Sequence, residues 1–188
     1  MTEQPATRVL PRPGDFGIKP GGGWAMWLVR LGTFSRYGHA AEVVETRPNQ
    51  PNNPWPVRIV EATPSGVIDR WVSVDEFRWS TGGPLDKVLT DEMRWDIIAR
   101  AFKQRGKGYD WPSIGKFLVR FFNAKFKGWS PDHPDRKLFC SELIVWNRRE
   151  TSIKFGFPEL DMFPGTAPGD ISPGQLQDWC PRTPDDKP

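Results

Sequence analysis

Cysteine hydrolysis needs a thiolate, an imidazole that takes and returns a proton, and a polar group that orients the imidazole. The chain has two cysteines and two histidines, so the search for such a set is short. Cys140 stands in LFCSELIVWNRRE, where Leu143, Ile144, Val145 and Trp146 follow directly on a cysteine, a serine and a glutamate. That order reads as the start of a helix with a buried apolar side. Cys140 would sit in its first turn, where free backbone N–H groups and the positive end of the helix dipole favour a thiolate. Cysteine is also among the most often buried residues, and this stretch alone reads as a structural cysteine before it reads as a nucleophile. Cys180, in QDWCPRTP, falls in a turn and reads as incidental.

Of the two histidines, His133 lies in the polar loop SPDHPD and is expected in solvent. His39 opens a strand between Gly38 and Ala40, small residues that leave room beside the ring. A lone strand histidine is more often a satisfied core residue than a base. Glu61, in VRIVEAT, is a carboxylate on a strand, and an isolated one usually faces solvent. The two cysteines, forty positions apart, make neither a metal-ligand pattern nor a disulfide framework, and no cofactor is expected.

The elements that would position these groups follow in chain order. PGDFGI gives a turn and a short apolar strand. GGGWAMWLVRLGTF is a glycine run followed by apolar residues at helical spacing; no Lys-Ser/Thr pair follows, which argues against a nucleotide loop and for a cleft loop or a linker. YGHAAEVVE, VRIVEAT and PSGVIDRWVSV predict three strands of an antiparallel meander, the first two separated by the long connection TRPNQPNNPWP. Side chains alternate along a strand, so His39, Ala41, Val43 and Glu45 would share one face, and Ile59, Glu61 and Thr63 another. Glu61 can hold the imidazole only if the strand register brings it beside His39, and sequence does not set that register. TDEMRWDIIARAFKQRGKG predicts a helix with Thr90 as N-cap, acids in its first turn and bases at its end. YDWPSIGKFLVRFFNAKFKG predicts a second, with Ile114, Phe117, Leu118, Phe121 and Phe122 as its buried stripe and Lys116, Arg120 and Lys125 as a solvated face. Beyond residue 151 the chain reads as irregular apart from a short helix over Pro173–Trp179.

Composition bounds the rest. At 37% hydrophobic and 13% aromatic the chain is too apolar to be disordered, and 20 Pro with 18 Gly call for long ordered loops. The expected organisation is an arm over 1–13, one domain over 14–180 and a disordered tail over 181–188. The formal charge of +3 (26 basic minus 23 acidic) is too small, with no basic stripe interleaved with aromatics, to favour a nucleic-acid partner. MTEQPATRVLPRPG lacks the apolar core of a secretory signal, and WAMWLV stops at Arg30, far short of the roughly 20 residues of a spanning helix. A cytoplasmic protein without a transmembrane segment is expected.

Taken in order, GDFGI, YGHAAEVVE, IVEATPSGV, YDW, FCSELIVW and GDISPGQL resemble the permuted papain-like amidases of the YiiX/YaeF type, relatives of the NlpC-type cell-wall peptidases and of lecithin retinol acyltransferase. The resemblance spans roughly residues 14–176, and its specific parts are GH opening a strand, VEA with a following GV, and FCSEL. It implies an α+β, circularly permuted papain-like (NlpC-like) fold, a small antiparallel sheet packed against helices. It further implies Cys140 as nucleophile, His39 as base and Glu61 as the orienting residue. Tyr109 and Ser141 would line the substrate cleft, and the Cys140 N–H would serve the oxyanion site. The implied activity is hydrolysis of an amide through a thioacyl-enzyme, with cell-wall peptide (peptidoglycan) as the leading substrate. The proline-rich connection and the Trp-rich stretch after the third strand depart from the pattern, so the substrate does not carry over. A lipid or thioester acyl hydrolase or transferase is the alternative enzyme. The rival from another class is a binding or structural module that keeps the fold and meets a protein partner through exposed tryptophans.

Overall fold

HAAEVVET has no consistently polar face because the strand it forms, β2 (His39–Thr46), is covered on both sides. The computed structural model of the chain describes residues 10–20, 22–23, 27, 30, 35–47, 56–109, 137–166 and 171–181. β2 is the middle strand of a five-stranded sheet formed with β1 (Phe16–Lys19), β3 (Val57–Thr63), β4 (Gly66–Val72) and β5 (Arg78–Trp79), in the order β4-β3-β2-β1-β5. Every neighbouring pair is antiparallel, and the expected meander is β2-β3-β4. Gly66 closes the β3–β4 turn at a φ of +112°, and a Cβ there would stand 2.7 Å from the Lys107 carbonyl oxygen. Both the angle and the close approach demand glycine.

Among the described residues, two α-helices and a small parallel pair join the sheet in an α+β body: α1 (Asp91–Lys103), β6 (Gly108–Tyr109), β7 (Lys137–Leu138) and α2 (Cys140–Phe155). Thr90 caps α1 by accepting from the Met93 N–H at 3.3 Å, as its position before Asp91 and Glu92 predicts. Met93, Ile97, Ile98 and Ala101 then recur at helical spacing on the buried side. α2 packs on β2, β3 and α1. It ends where Gly156 adopts the left-handed conformation at a φ of +67°. Asp96 of α1 ties the two helices by accepting from Thr151 Oγ1 at 2.8 Å and Lys154 Nζ at 2.6 Å.

The sheet separates two apolar clusters. On the helix side, Phe16, Ile18, Ala40, Val44, Val60 and Ala62 pack with α1 and α2. On the other side, Ala41, Val43, Val57, Ile59 and Val72 lie under Phe77, with Trp79 against them. Full burial of an aliphatic side chain of this size stabilises by about 1.5–3 kcal/mol, so both faces contribute to the fold. The expected sharing of a face by His39, Ala41, Val43 and Glu45 fails at its last member. A bulge between Val43 and Glu45 shifts the register, and Glu45 pairs with Arg58 instead of continuing the alternation.

The short helix expected near the C-terminus is a 3-10 helix over Pro173–Trp179. Residues 10–13, read as part of the arm, touch the body: Pro11 accepts from Thr46 Oγ1 at 2.7 Å and Pro13 from Arg94 at 3.1 Å. The helix expected from YDWPSIGKFLVRFFNAKFKG, with Lys116, Arg120 and Lys125, lies outside the described residues from Asp110 on. So do His133, residues 48–55 of the long connection and most of the stretch after the glycine run. Among the described residues no helix is long and apolar enough to cross a membrane, and of the tryptophans Trp27 and Trp95 are exposed.

Candidate active site

Cys140 is the first residue of α2, and its N-cap, Phe139, has no side-chain oxygen to place over the first turn. The Phe139 N–H instead donates to the Glu142 carboxylate at 3.3 Å. The Cys140 sulfur lies 3.9 Å from the carbonyl oxygen of Gly38, the residue before the histidine. The helix start and the start of β2 therefore meet at one end of the sheet.

Register supplies the next contact. β2 and β3 pair so that Glu42 stands opposite Val60, which brings Glu61 toward the start of β2 and onto the face that His39 occupies. His39 Nε2 and Glu61 Oε2 are 2.6 Å apart, both residues buried. That contact makes Nε2 the protonated nitrogen facing the carboxylate. Nδ1 is buried with no hydrogen-bond partner.

The electrostatics follow from these neighbours. Burial alone would lower the His39 pKa. Cys140 and Glu61, through hydrogen bonding and charge, outweigh it and raise the value from 6.5 to about 9. Burial would likewise raise Glu61, but His39 and then Arg70 hold it down at about 2. At neutral pH the pair is thus an imidazolium against a carboxylate, with the thiol beside it. Such a set can form a thiolate, deliver a proton to a leaving group and later take one from water.

The cover over the site comes from the stretch after β4. Phe77 lies 6.2 Å from the His39 ring, centroid to centroid, and Trp79 lies 5.2 Å from Phe77. Trp79 reaches this place because residue 17 is glycine: a Cβ there would meet its ring at 2.7 Å. Phe77 and Trp79 also line a cleft of about 630 Å³, together with Lys19, Tyr37, Glu76 and Arg78; Cys140, His39 and Glu61 are not among its walls.

The two remaining sequence-predicted residues sit differently. Tyr109, in β6, is buried within the helix-side cluster. Ser141 is fully buried and donates its hydroxyl to the Ile171 carbonyl at 2.5 Å. It joins α2 to the C-terminal segment and does not face a cleft. Cys180 is also buried, with its sulfur 3.9 Å from the Arg78 carbonyl.

Sequence reasoning missed Arg70 and Glu76. Arg70, in VIDRWV, reads as an ordinary exposed strand charge. It donates Nε to Glu61 Oε1 at 2.5 Å, and Glu76 accepts from its other two nitrogens at 3.1 and 2.5 Å. Nothing in the local pattern of either residue signals that role, which depends on register and on the turn after β4.

No protein-family model matches the chain, and no curated protein matches it at a significant level.

Proposed function

We propose that the chain is a cysteine acyl hydrolase of permuted papain-like architecture, with Cys140 as nucleophile, His39 as base and acid, and Glu61 as the residue that orients it. The observation that carries this reading is the 2.6 Å contact between His39 Nε2 and Glu61, with the other ring nitrogen buried without a hydrogen-bond partner and Cys140 at a helix start. A buried core histidine with no further role has no need of a cysteine on one side and a doubly held carboxylate on the other.

The reaction follows from the groups. The Cys140 thiolate attacks the substrate carbonyl carbon, and the oxyanion that forms accepts the Cys140 backbone N–H. The carbon–nitrogen bond breaks as His39 gives its Nδ1 proton to the leaving amine, leaving a thioester on Cys140 and a neutral imidazole. The imidazole then takes a proton from water as the water oxygen attacks the thioester carbon. The thiolate departs, the acid product leaves, and His39 is again the imidazolium. Glu61 stays ionised throughout, since its pKa near 2 keeps it charged beside either form of the ring.

The leading substrate is a peptide amide, and cell-wall peptide is the first class to try. The cleft beside Phe77 has aromatic walls together with Lys19, Glu76 and Arg78, which suits a chain carrying both apolar and charged groups. The aromatic walls also favour a second reading, an acyl hydrolase or transferase acting on lipid or thioester.

The test is incubation of native protein and Cys140→Ala with peptidoglycan peptides, phospholipids and acyl thioesters, followed by product analysis and intact mass of the acid-quenched protein. One substrate class should be cleaved, with an acyl mass on Cys140 that the variant lacks. If no class is turned over, and iodoacetamide labels Cys140 no faster than Cys180, the chain is a binding module that keeps the fold.

A further inference from the structure

Glu61 belongs to a larger arrangement on the face of the sheet away from the helices. Its two oxygens are divided: Oε2 meets His39 Nε2 at 2.6 Å and Oε1 accepts from Arg70 Nε at 2.5 Å. Arg70 is gripped in turn by Glu76 through two hydrogen bonds, and Lys19 Nζ donates to the same Glu76 carboxylate at 2.6 Å. Lys19 then stands directly opposite His39 in the β1–β2 register. His39, Glu61, Arg70, Glu76 and Lys19 thus form a ring of side chains over β1–β4, closed by the turn after β4. The Phe77 ring lies over it, 4.5 Å from Lys19 Nζ and 6.2 Å from His39.

A carboxylate bonded through one oxygen can swing about its last torsion, whereas one bonded through both is held in plane. The partner of His39 is therefore locked from behind, and the lock is itself locked. We propose that Arg70 is a positioning residue of the active site: it fixes the Glu61 carboxylate so that Nε2 of His39 is held and Nδ1 is aimed at Cys140, with Glu76 fixing Arg70 and Lys19 fixing Glu76. This rests on the cysteine hydrolase reading and adds to it a residue that touches neither thiol nor imidazole.

Two roles for Arg70 predict opposite results. As a mere neighbouring cation, its removal would make the imidazolium easier to keep and raise the His39 pKa. As a positioner, its removal frees Glu61, weakens the bond to Nε2 and lowers that pKa. Among the described residues, the titratable and charged groups around the ring are the Cys140 thiol from α2, Glu61 from β3 and Lys19 from β1, with Arg70 and Glu76 behind.

The experiment is an NMR titration of isotope-labelled histidine, which needs no substrate. The chain holds two histidines, and His133→Gln assigns the signals. Native His39 should titrate near 9. Arg70→Met should bring the midpoint down by about one pH unit or more, a tenfold loss for the charged form. Arg70→Lys, which keeps the charge and one donor, should recover part of it. Glu76→Gln, which loosens Arg70 without emptying its place, should give a smaller fall and serves if Arg70→Met does not fold. A midpoint that stays near 9 or rises in the folded variants overturns the positioning role and leaves the hydrolase reading intact. A native midpoint near 6.5 overturns the charged pair itself, and both proposals with it.

Discussion

Glu42 and Glu61 are buried carboxylates on adjacent strands, each paired with an arginine, yet their titration shifts in opposite directions. Glu42 faces the helices. Arg148 of α2 meets its two oxygens at 2.9 and 3.0 Å, donates also to the Gly14 carbonyl at 2.8 Å and lies over the Phe16 ring. Neither side chain of that pair has any exposure. Burial raises the Glu42 pKa, the single arginine opposes without cancelling it, and the charge of Asp15 adds to the rise. Glu61 faces the other way. It has two cationic partners, one at each oxygen, and its pKa falls to about 2. One pair joins helix to sheet; the other keeps a charge ready beside a titrating ring. Two differences separate the roles: Glu42 is fully buried with one arginine, whereas Glu61 keeps slight exposure and has a cationic partner at each oxygen.

The comparison is broken most severely by exchanging effects across it. On the proposed hydrolase reading, Cys140→Ala removes the nucleophile and should reduce turnover by at least about a thousandfold. Its unfolding free energy should stay within about 1 kcal/mol of native. Loss of stability comparable to loss of activity would place Cys140 with the structural side.

Changes at the helix-facing pair should do the reverse. Glu42→Gln leaves the Arg148 guanidinium buried without its counter-charge, and a guanidinium cannot shed its proton, so a cost of about 3–5 kcal/mol is expected. Arg148→Met should cost less, because Glu42 escapes its own burial by taking up a proton. The double variant Glu42→Leu/Arg148→Met should recover much of the loss. Denaturant unfolding of the three proteins checks the ranking, and equal costs for both single variants would show that the pair acts through packing alone.

How far the chain announces these arrangements depends on how local each one is. α1 is legible because its signals are contiguous: Thr90 at the cap, acids in the first turn and a buried stripe at helical spacing. Cys140 at the start of α2 is legible for the same reason. The meander is readable as three strands, but the approach of Glu61 to His39 depends on a register that includes a bulge, and no local signal sets it. Strand β5 is two residues long and closes the sheet through pairing with β1, a contact between segments sixty positions apart. Glu42 did leave a trace: a charge amid HAAEVV, with apolar residues on both faces, has to be buried and so has to be paired. Its partner, Arg148, sits in an RRE run that reads as an ordinary solvated turn of helix.

Acid provides the finest separation of the two carboxylates. The Glu61 pKa is lower in the folded protein than in the unfolded chain, so its contribution to stability is present above about 4.5 and is lost as pH falls toward 2. Glu42 is raised, so protonation favours the folded state and its contribution runs the other way, improving as pH falls. His39, raised to about 9, stays charged throughout this range; its own contribution is complete below 6.5 and disappears only as pH rises through 9. Between pH 5 and 2 the native protein should therefore lose up to about 3 kcal/mol through the Glu61 pair. Glu61→Gln has no carboxylate to protonate and should be less stable than native at pH 6 but flatter toward acid. Glu42→Gln lacks the Glu42 gain, so it should be less stable than native and lose somewhat more toward acid. Thermal unfolding from pH 6 to 2.5 on the three proteins measures this, and an acid slope in Glu61→Gln as steep as the native one would assign the loss to carboxylates outside the site.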